Sequence, residues 1–467
     1  MRRLAGAAAS VPLWLAACAT TSQPEQAPLA SPAQWQAPLP HNGNLTDLTQ
    51  WWQQQGDPVL VQLIEAAQAA SPSISTAKSR IDQARAARTI AGAALLPALD
   101  GSVSASRGNT QPPQPLATTV QAGLQASWEV DLFGANRATR DAAQARLEGA
   151  QAQWHEARVS VSAEVANQYV ALRTCERQLE VTRADTASRG ETARLADLAA
   201  RAGFQAPASA ALARASAAEG KARQTQQQAQ CDLDVKALVA LTALPEPDLR
   251  KKVSAVPGIQ APFAPIAIAN MPAQVLAQRP DLFQAEREVA AASAELGSAQ
   301  AQRYPRLGLN GSIGALHMRS GGVNTDLTTW SIGPLSLSVP LFDGGRRAAN
   351  VEAARSRYEE AAASYQARAR QAVREVEEAM VNLESTALRN EDAQVATEGF
   401  RASFNATQSR YQNGLASLVE LEDTRRTALA AEMALVALQR ERQAAWVALY
   451  RAAGGGWAST AAATAKP

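Results

Sequence analysis

Between Asn136 and about Arg201 the chain carries no proline, and its only glycines are Gly149 and Gly190. Alanine, glutamine, arginine and leucine dominate the run, all good helix formers. Apolar residues recur every seven positions at Val165, Leu172 and Leu179, with Val161, Gln168 and Cys175 on the neighbouring seam position. A sustained repeat of 3.5 residues marks helices that supercoil against partners. About 65 residues at 1.5 Å each make a rod of roughly 100 Å, whereas globular helices end near 20 residues. The stretch Arg201-Ala202-Gly203-Phe204 then turns the chain, and a second helix runs to about Leu244. A rod this long exceeds what a globular core needs, so its length is part of the function.

Composition narrows the class. At 467 residues two domains are the default expectation. The charge is nearly balanced, 45 basic against 43 acidic residues, which implies neither nucleic-acid binding nor an electrostatic membrane patch. The hydrophobic fraction of 46% is mostly alanine, and aromatics are only 5%. Small residues fill a bulky core poorly but let helices approach closely. No run of 18 or more apolar residues offers a spanning helix.

The first 17 residues, Met1-Arg2-Arg3 followed by an apolar stretch, read as a secretory signal peptide. They end Leu15-Ala16-Ala17-Cys18, which resembles a bacterial lipobox. By that resemblance Cys18 becomes the lipid-bearing first residue, palmitate being the expected amide-linked chain, and Ala19 favours sorting to the outer membrane. Several acyl chains hold a protein firmly, at about 0.8 kcal/mol per buried CH₂. Residues 18–50, rich in Pro, Gln, Ser and Ala, read as a lipidated tether with no core of its own. Trp51-Trp52 begin a packed region, and a helix follows Ser71-Pro72 to about Leu96.

The chain repeats itself once. Pro72 recurs as Pro280 and Pro97 as Pro305, both at an offset of 208. Leu132-Phe133-Gly134 recurs as Leu341-Phe342-Asp343-Gly344, and Gly203 as Gly414 in Tyr411-Gln-Asn-Gly414. Each half therefore reads helix, strand, strand, long helix, turn, long helix, over residues 51–244 and 272–452. The second hairpin spans about Gly345–Tyr411 and Ser417–Tyr450, with heptads at Leu421, Ala428, Leu435 and Leu449. Pro-rich residues 245–271 link the halves and are expected to wrap the middle of the molecule with Trp51-Trp52. Residues 453–467, rich in Gly, Ala and Thr, are expected to be a disordered tail.

Strands are expected over about 98–132 and 306–341, where polarity alternates roughly every second residue. Such alternation fits a strand with one lipid face and one lumen face; two soluble hairpins fit the pattern too. The loops Arg107–Ala117 and Arg319–Thr328 are polar, and Trp128, Trp330 and Tyr304 fall near the expected strand ends, where aromatic belts lie. Four strands cannot close a barrel, and an open edge is not viable in lipid. Membrane strands would thus have to be pooled: two chains give eight and a filled interior, three give twelve and a lumen.

These residues resemble a known family. Arg279-Pro-Asp-Leu-Phe-Gln-Ala-Glu286, with Ala-Ser-Ala-Glu-Leu-Gly297 and Tyr304-Pro305, resembles the second-repeat signature of TolC-like outer-membrane efflux channels. Trp128-Glu-Val-Asp-Leu-Phe-Gly134 and Val339-Pro-Leu-Phe-Asp-Gly-Gly345 resemble that family's strand-to-helix junctions. The lipobox places the chain nearest the OprM-like lipoprotein branch, which serves resistance-nodulation-division pumps. The resemblance, over about residues 45–452, implies an α+β membrane protein. Its homotrimer shares a 12-stranded β-barrel continued by a periplasmic α-helical barrel. It also implies a periplasmic adaptor and an inner-membrane transporter as partners, drugs or other toxic small molecules as cargo, and no cofactor. Protein secretion and metal export through the same tube stay open alternatives. A coiled-coil or adaptor lipoprotein fits less well, because it carries one hairpin rather than two.

The turns at Gly203 and Gly414 form the periplasmic tip of such a tube. By the resemblance, Tyr411 matches the gate tyrosine, and Glu420 and Asp423 match inward-facing acidic positions. Rings of charge in a constriction set selectivity, although both residues also read as solvated helix charges. Ala416 stands where some relatives carry a bridging arginine, and Ser209 where the first repeat often has an aspartate. Independently of the family, Cys175 and Cys231 lie equally far from the turn at Gly203, so an antiparallel hairpin brings them level. In an oxidising periplasm they are expected to form a disulfide, the alternative being two buried thiols. His41, His155 and His317 show no metal-ligand spacing, and His155 reads as a surface residue. Glu377-Glu378 read as solvated, and no phosphate-binding glycine loop is present.

Overall fold

The computed structural model describes residues 32, 34–37, 48–109, 115–255, 263, 265–266 and 275–457. The leader, Cys18, His41, most of the tether, about half of the inter-repeat link and residues 458–467 lie outside the described residues. In chain order the elements are α1 (Trp51–Gln54), α2 (Pro58–Ala70), α3 (Pro72–Ala93), β1 (Ala98–Gly108), β2 (Ala117–Val130), α4 (Ala135–Arg201), α5 (Pro207–Thr242) and α6 (Glu246–Ser254). The second half follows with α7 (Pro280–Ala301), β3 (Arg306–Ser320), β4 (Val323–Ser338), α8 (Arg346–Gln412) and α9 (Leu418–Ala452). The long helices α4 and α8 are each 67 residues. Contacts divide the chain into two compact units that cut across the repeats, because α4 and α8 contribute residues to both.

One unit holds Lys78–Ala152 and Phe283–Arg368. Its four strands form a single antiparallel sheet in the order β1-β2-β3-β4, which leaves β1 and β4 as free edges. Small residues let the helices of this unit touch: Ala142 and Ala145 of α4 bury against Ala290 and Ala291 of α7. Both strand-to-helix junctions are capped alike. Asp131 accepts hydrogen bonds from the backbone N–H of Asn136 (3.1 Å) and Arg137 (2.8 Å). Asp343 accepts from the N–H of Gly345 (3.1 Å) and Arg347 (3.2 Å). Each carboxylate satisfies amide groups that a helix start leaves without partners.

The other unit comprises Leu29–Ala77, Gln153–Leu282 and Ala369–Pro467. Its core is aromatic at one place: Trp51 stacks on Tyr450 (centroids 5.1 Å apart), and Phe263 of the inter-repeat link meets Trp51 edge-on at 5.6 Å. The seam residues Val165, Leu172 and Leu179 are buried there, as are Leu421, Ala428 and Leu449. Cys175 of α4 and Cys231 of α5 are joined with their Cα atoms 5.4 Å apart. The two hairpin turns are built alike. The Phe204 N–H donates to Ala199 O (2.8 Å) and the Leu415 N–H to Arg410 O (2.8 Å). Gly203 (φ +78°) and Gly414 (φ +76°) occupy the left-handed position that closes each helix.

Five expectations change. The segment Arg319–Thr328 is mostly strand, because Gly321 and Gly322 both take positive φ and make a two-residue turn whose twist suits a tight hairpin. Trp330 consequently sits inside β4 rather than at its end. Chain order continues past residue 453, where Ala453 and Gly454 are buried. Glu377 is not simply solvated, since it accepts the backbone N–H groups of Gln36 and Ala37, each at 2.7 Å. His155 is half-buried between Trp154 (4.8 Å) and Trp457 (6.4 Å), and burial, with help from Arg158, holds its pKa below the usual imidazole value.

Candidate functional site

The sheet has two chemically distinct faces. On one, Leu99, Val103 and Ala105 of β1 register with Ala126, Ala122 and Val120 of β2. The same face continues through Leu124 opposite Ile313, and Trp128 opposite Leu309. It ends on β4 with Trp330, Ile332, Leu335 and Leu337. On the other face lie Ser102, Ser104 and Ser106, then Gln121, Gln125 and Ser127, then Asn310 and Ser312, then Ser331 and Ser336, with Leu316, Met318, Val323 and Leu327 on it toward the β3–β4 turn. Ser312 and Ser331 hydrogen-bond across the strands at 2.9 Å.

Leu99, Val103, Ile313, Trp330, Ile332, Leu335 and Leu337 are each more than half exposed, so no described part of the chain covers them. A row of Leu, Ile, Val and Trp left bare is far from the scattered apolar surface of soluble proteins. From Leu307 to Ala315 the apolar band runs about 27 Å along β3, or roughly 20 Å across a bilayer at the usual strand tilt. Outer-membrane barrels carry an apolar band of about 25 Å. Beyond it the same face turns polar at the cross-strand pair of His317 and Asp326 (2.6 Å).

The second site is the tip formed by the two hairpin turns, all within the second unit. The sequence-selected residues gather here. Tyr411 packs on an apolar cluster of Ala193, Ala196, Ala213, Leu418 and Leu421, and its hydroxyl accepts from Gln205 Nε2 at 3.3 Å. Ser417 caps α9 by accepting the Glu420 N–H (3.1 Å), so Glu420 holds the third position of a capping sequence. The Glu420 side chain accepts from Arg410 (2.7 Å), and the Asp423 side chain from Arg426 (2.5 Å). Each carboxylate thus carries a cation of its own hairpin beside it. Ser209 sits in the first turn of α5, and Ala416 in the turn before α9.

A buried ionic chain lies deeper in the tip, and the sequence reading did not select it. Asp185 accepts from Arg189 at 2.8 Å, and Arg189 donates to Glu422 at 2.7 Å. Glu422 also accepts from Arg425, and Ser216 of α5 donates to it at 2.7 Å. Arg425 further donates to Thr192 (2.9 Å) and Ser188 (3.2 Å) on α4, and its guanidinium lies 5.4 Å over the Phe404 ring. The Arg425 side chain is 2% exposed and Glu422 17%. Burial pushes the Arg425 pKa down, opposed by Glu422, while Arg189 adds to the depression. Two carboxylates and two guanidinium groups alternate, so the chain is neutral and ties α4, α5 and α9 together. A signal was present: Arg189 lies fourteen residues after Cys175 on the same seam, and Arg425 lies between the seam residues Leu421 and Ala428. A polar residue on an apolar seam fixes register, at some expense of stability.

Comparison with known proteins agrees with this geometry. The chain matches the outer membrane efflux protein family model in two stretches, residues 63–244 and 271–455. It is 29% identical to the pyoverdine export outer membrane protein OpmQ of Pseudomonas aeruginosa, over 96% of each chain. It is 28% identical to the solvent efflux pump outer membrane protein SrpC of Pseudomonas putida, over 86% of each chain. Among solved structures, the outer membrane protein VceC of Vibrio cholerae superposes with a TM-score of 0.76 at 27% identity, covering 89% of this chain and all of that one.

Proposed function

The chain belongs to the outer membrane efflux protein family, and from that premise we propose that three copies build one conduit. Their twelve strands close a barrel in the outer membrane, and their long hairpins continue it into the periplasm. The observation that carries this reading is the sheet itself: along its central stretch one face is apolar, the other carries Ser, Gln and Asn, and both edges are free. Free edges in lipid leave backbone groups unsatisfied, at several kcal/mol each. Joining β4 of one copy to β1 of the next satisfies them. Twelve strands leave an open lumen where eight would fill. The lumen so formed has hydroxyl and amide walls, which suit passage of varied small molecules rather than tight binding of one.

Efflux of drugs or other toxic small molecules is the function that this supports. The relatives' cargoes differ, pyoverdine for one and solvents for another, so a general conduit fits better than a dedicated one. A conduit supplies no energy, so the partners are an energised inner-membrane transporter of the resistance-nodulation-division class and a periplasmic adaptor reaching the tip. Cys18 carries the lipid that holds the tether at the membrane. At the tip, Tyr411, Glu420 and Asp423 form the narrow mouth, and the chain Asp185–Arg189–Glu422–Arg425 keeps α9 closed against α4 and α5. Purified protein inserted into planar bilayers tests the reading. Stepwise conductance is expected to rise when Glu422→Gln frees the tip. Protein that inserts and passes no ions, as wild type or as Glu422→Gln, counts against it.

A further inference from the structure

The two strand-to-helix junctions share a sequence and a cap, yet only one of them is covered. Phe133, after β2, stacks on Tyr304 with ring centroids 4.8 Å apart and planes 17° from parallel. Phe342, its counterpart after β4, is 93% exposed, and Leu341 beside it is 91% exposed. Tyr304 precedes Pro305 and β3; its counterpart at the offset of 208 is Leu96, which precedes Pro97 and β1. Leu96 is 66% exposed.

The reason for the difference is topological. Phe133 reaches Tyr304 because β2 pairs antiparallel with β3, with Val130 at the end of β2 opposite Leu307 at the start of β3. β4 and β1 are the free edges, and the strands alternate in direction, so the end of a β4 can meet the start of a β1 only in another copy. Resting on the shared barrel proposed above, we infer that Phe342 of one copy seats against Leu96 of the neighbouring copy, repeating between chains the Phe133–Tyr304 joint made within one. The occupant of this exposed pair is therefore a second copy of this chain. The apolar faces agree with the joint, since Leu335 and Leu337 of β4 and Leu99 and Val103 of β1 all lie on the lipid side. The seam then needs no side chain from outside the repeat pattern, and the ring closes with three equivalent joints of this kind.

Full-length protein in outer-membrane vesicles carries the test. Leu96→Cys and Phe342→Cys are placed together in one chain, and a short bismaleimide is applied before denaturing electrophoresis. Linked dimers and trimers are expected from the double variant and from neither single variant. A lysine-reactive linker on the same vesicles reports whether trimers exist at all. Trimers present without the cysteine link overturn this joint and leave the shared barrel standing; monomers alone overturn both. A second measurement covers a variant that assembles poorly. Leu96→Tyr would copy the Phe133–Tyr304 aromatic pair into the joint between chains, so it is expected to raise the temperature at which the trimer dissociates in detergent. The gain is expected to vanish when Phe342→Ala is added. An equal gain with and without Phe342 overturns the proposal.

Discussion

At the scale of residues, the tip turns on Glu422. It sits between two guanidinium groups, and removing one member of a buried charge set leaves the rest uncompensated. Glu422→Gln is expected to destabilise the tip by about 3–5 kcal/mol, read as lower protection of α9 amides in hydrogen exchange. Replacing Glu422 and Arg425 together by apolar residues keeps the Asp185–Arg189 pair balanced, so most of that protection is expected to return. Equal losses in both variants contradict the coupled reading. Glu420 and Asp423 were singled out through the resemblance of the segment after Gly414 to the family's gate helix. The pairing of Glu422 with Arg189 was not legible, since α4 and α9 lie in different repeats and sequence alone does not set their register. Glu156 offers a pH readout. Burial raises its pKa, Asp281 and Glu375 add to the rise, and Arg279 and Arg451 oppose it. A raised carboxyl pKa contributes stability fully present below the unfolded value and lost as pH climbs through the folded one. Glu156→Gln is therefore expected to raise the melting temperature at neutral pH and to leave it nearly unchanged at pH values below the unfolded carboxyl range. The same gain at both pH values contradicts the assignment.

At the scale of elements, the long helices were the most legible part. Absence of proline, heptad spacing and a glycine stop were all local signals, and α4 begins and ends within a residue or two of the sequence reading. The strand ends were less so, because Gly321-Gly322 reads equally as a flexible loop and as a tight turn. Only pairing of β3 with β4 decides between them. The hairpin of α4 and α5 carries a cross-link whose loop of 56 residues implies about 4 kcal/mol of stabilisation from chain entropy. Cys175→Ser is expected to lower the hairpin's thermal stability accordingly, and non-reducing peptide mapping is expected to recover one linked peptide pair. Two alkylatable thiols in the native protein contradict it. The sheet faces give a paired comparison. Leu335→Arg on the apolar face is expected to cost about 2–4 kcal/mol of barrel stability, while Ser331→Arg on the hydroxyl face leaves stability near wild type and lowers cation conductance. Equal destabilisation by both substitutions removes the distinction between faces.

At the scale of the whole molecule, the internal duplication explains why one chain looks unfinished. Two copies of a helix, strand-pair and hairpin unit bring four strands, and their register produces one lipid face and one hydroxyl face. Four strands satisfy their inner edges only, so the chain is stable in a bilayer as a part of something larger. That conclusion was reachable from strand counting, whereas the residues of the seam became visible only when Phe133 and Phe342 were found in different surroundings. The number of chains per barrel is the quantity on which all of this turns. Native mass spectrometry of the protein released from lipid nanodiscs measures it directly. A mass of three chains is the predicted result, and a folded species of one chain would contradict the account.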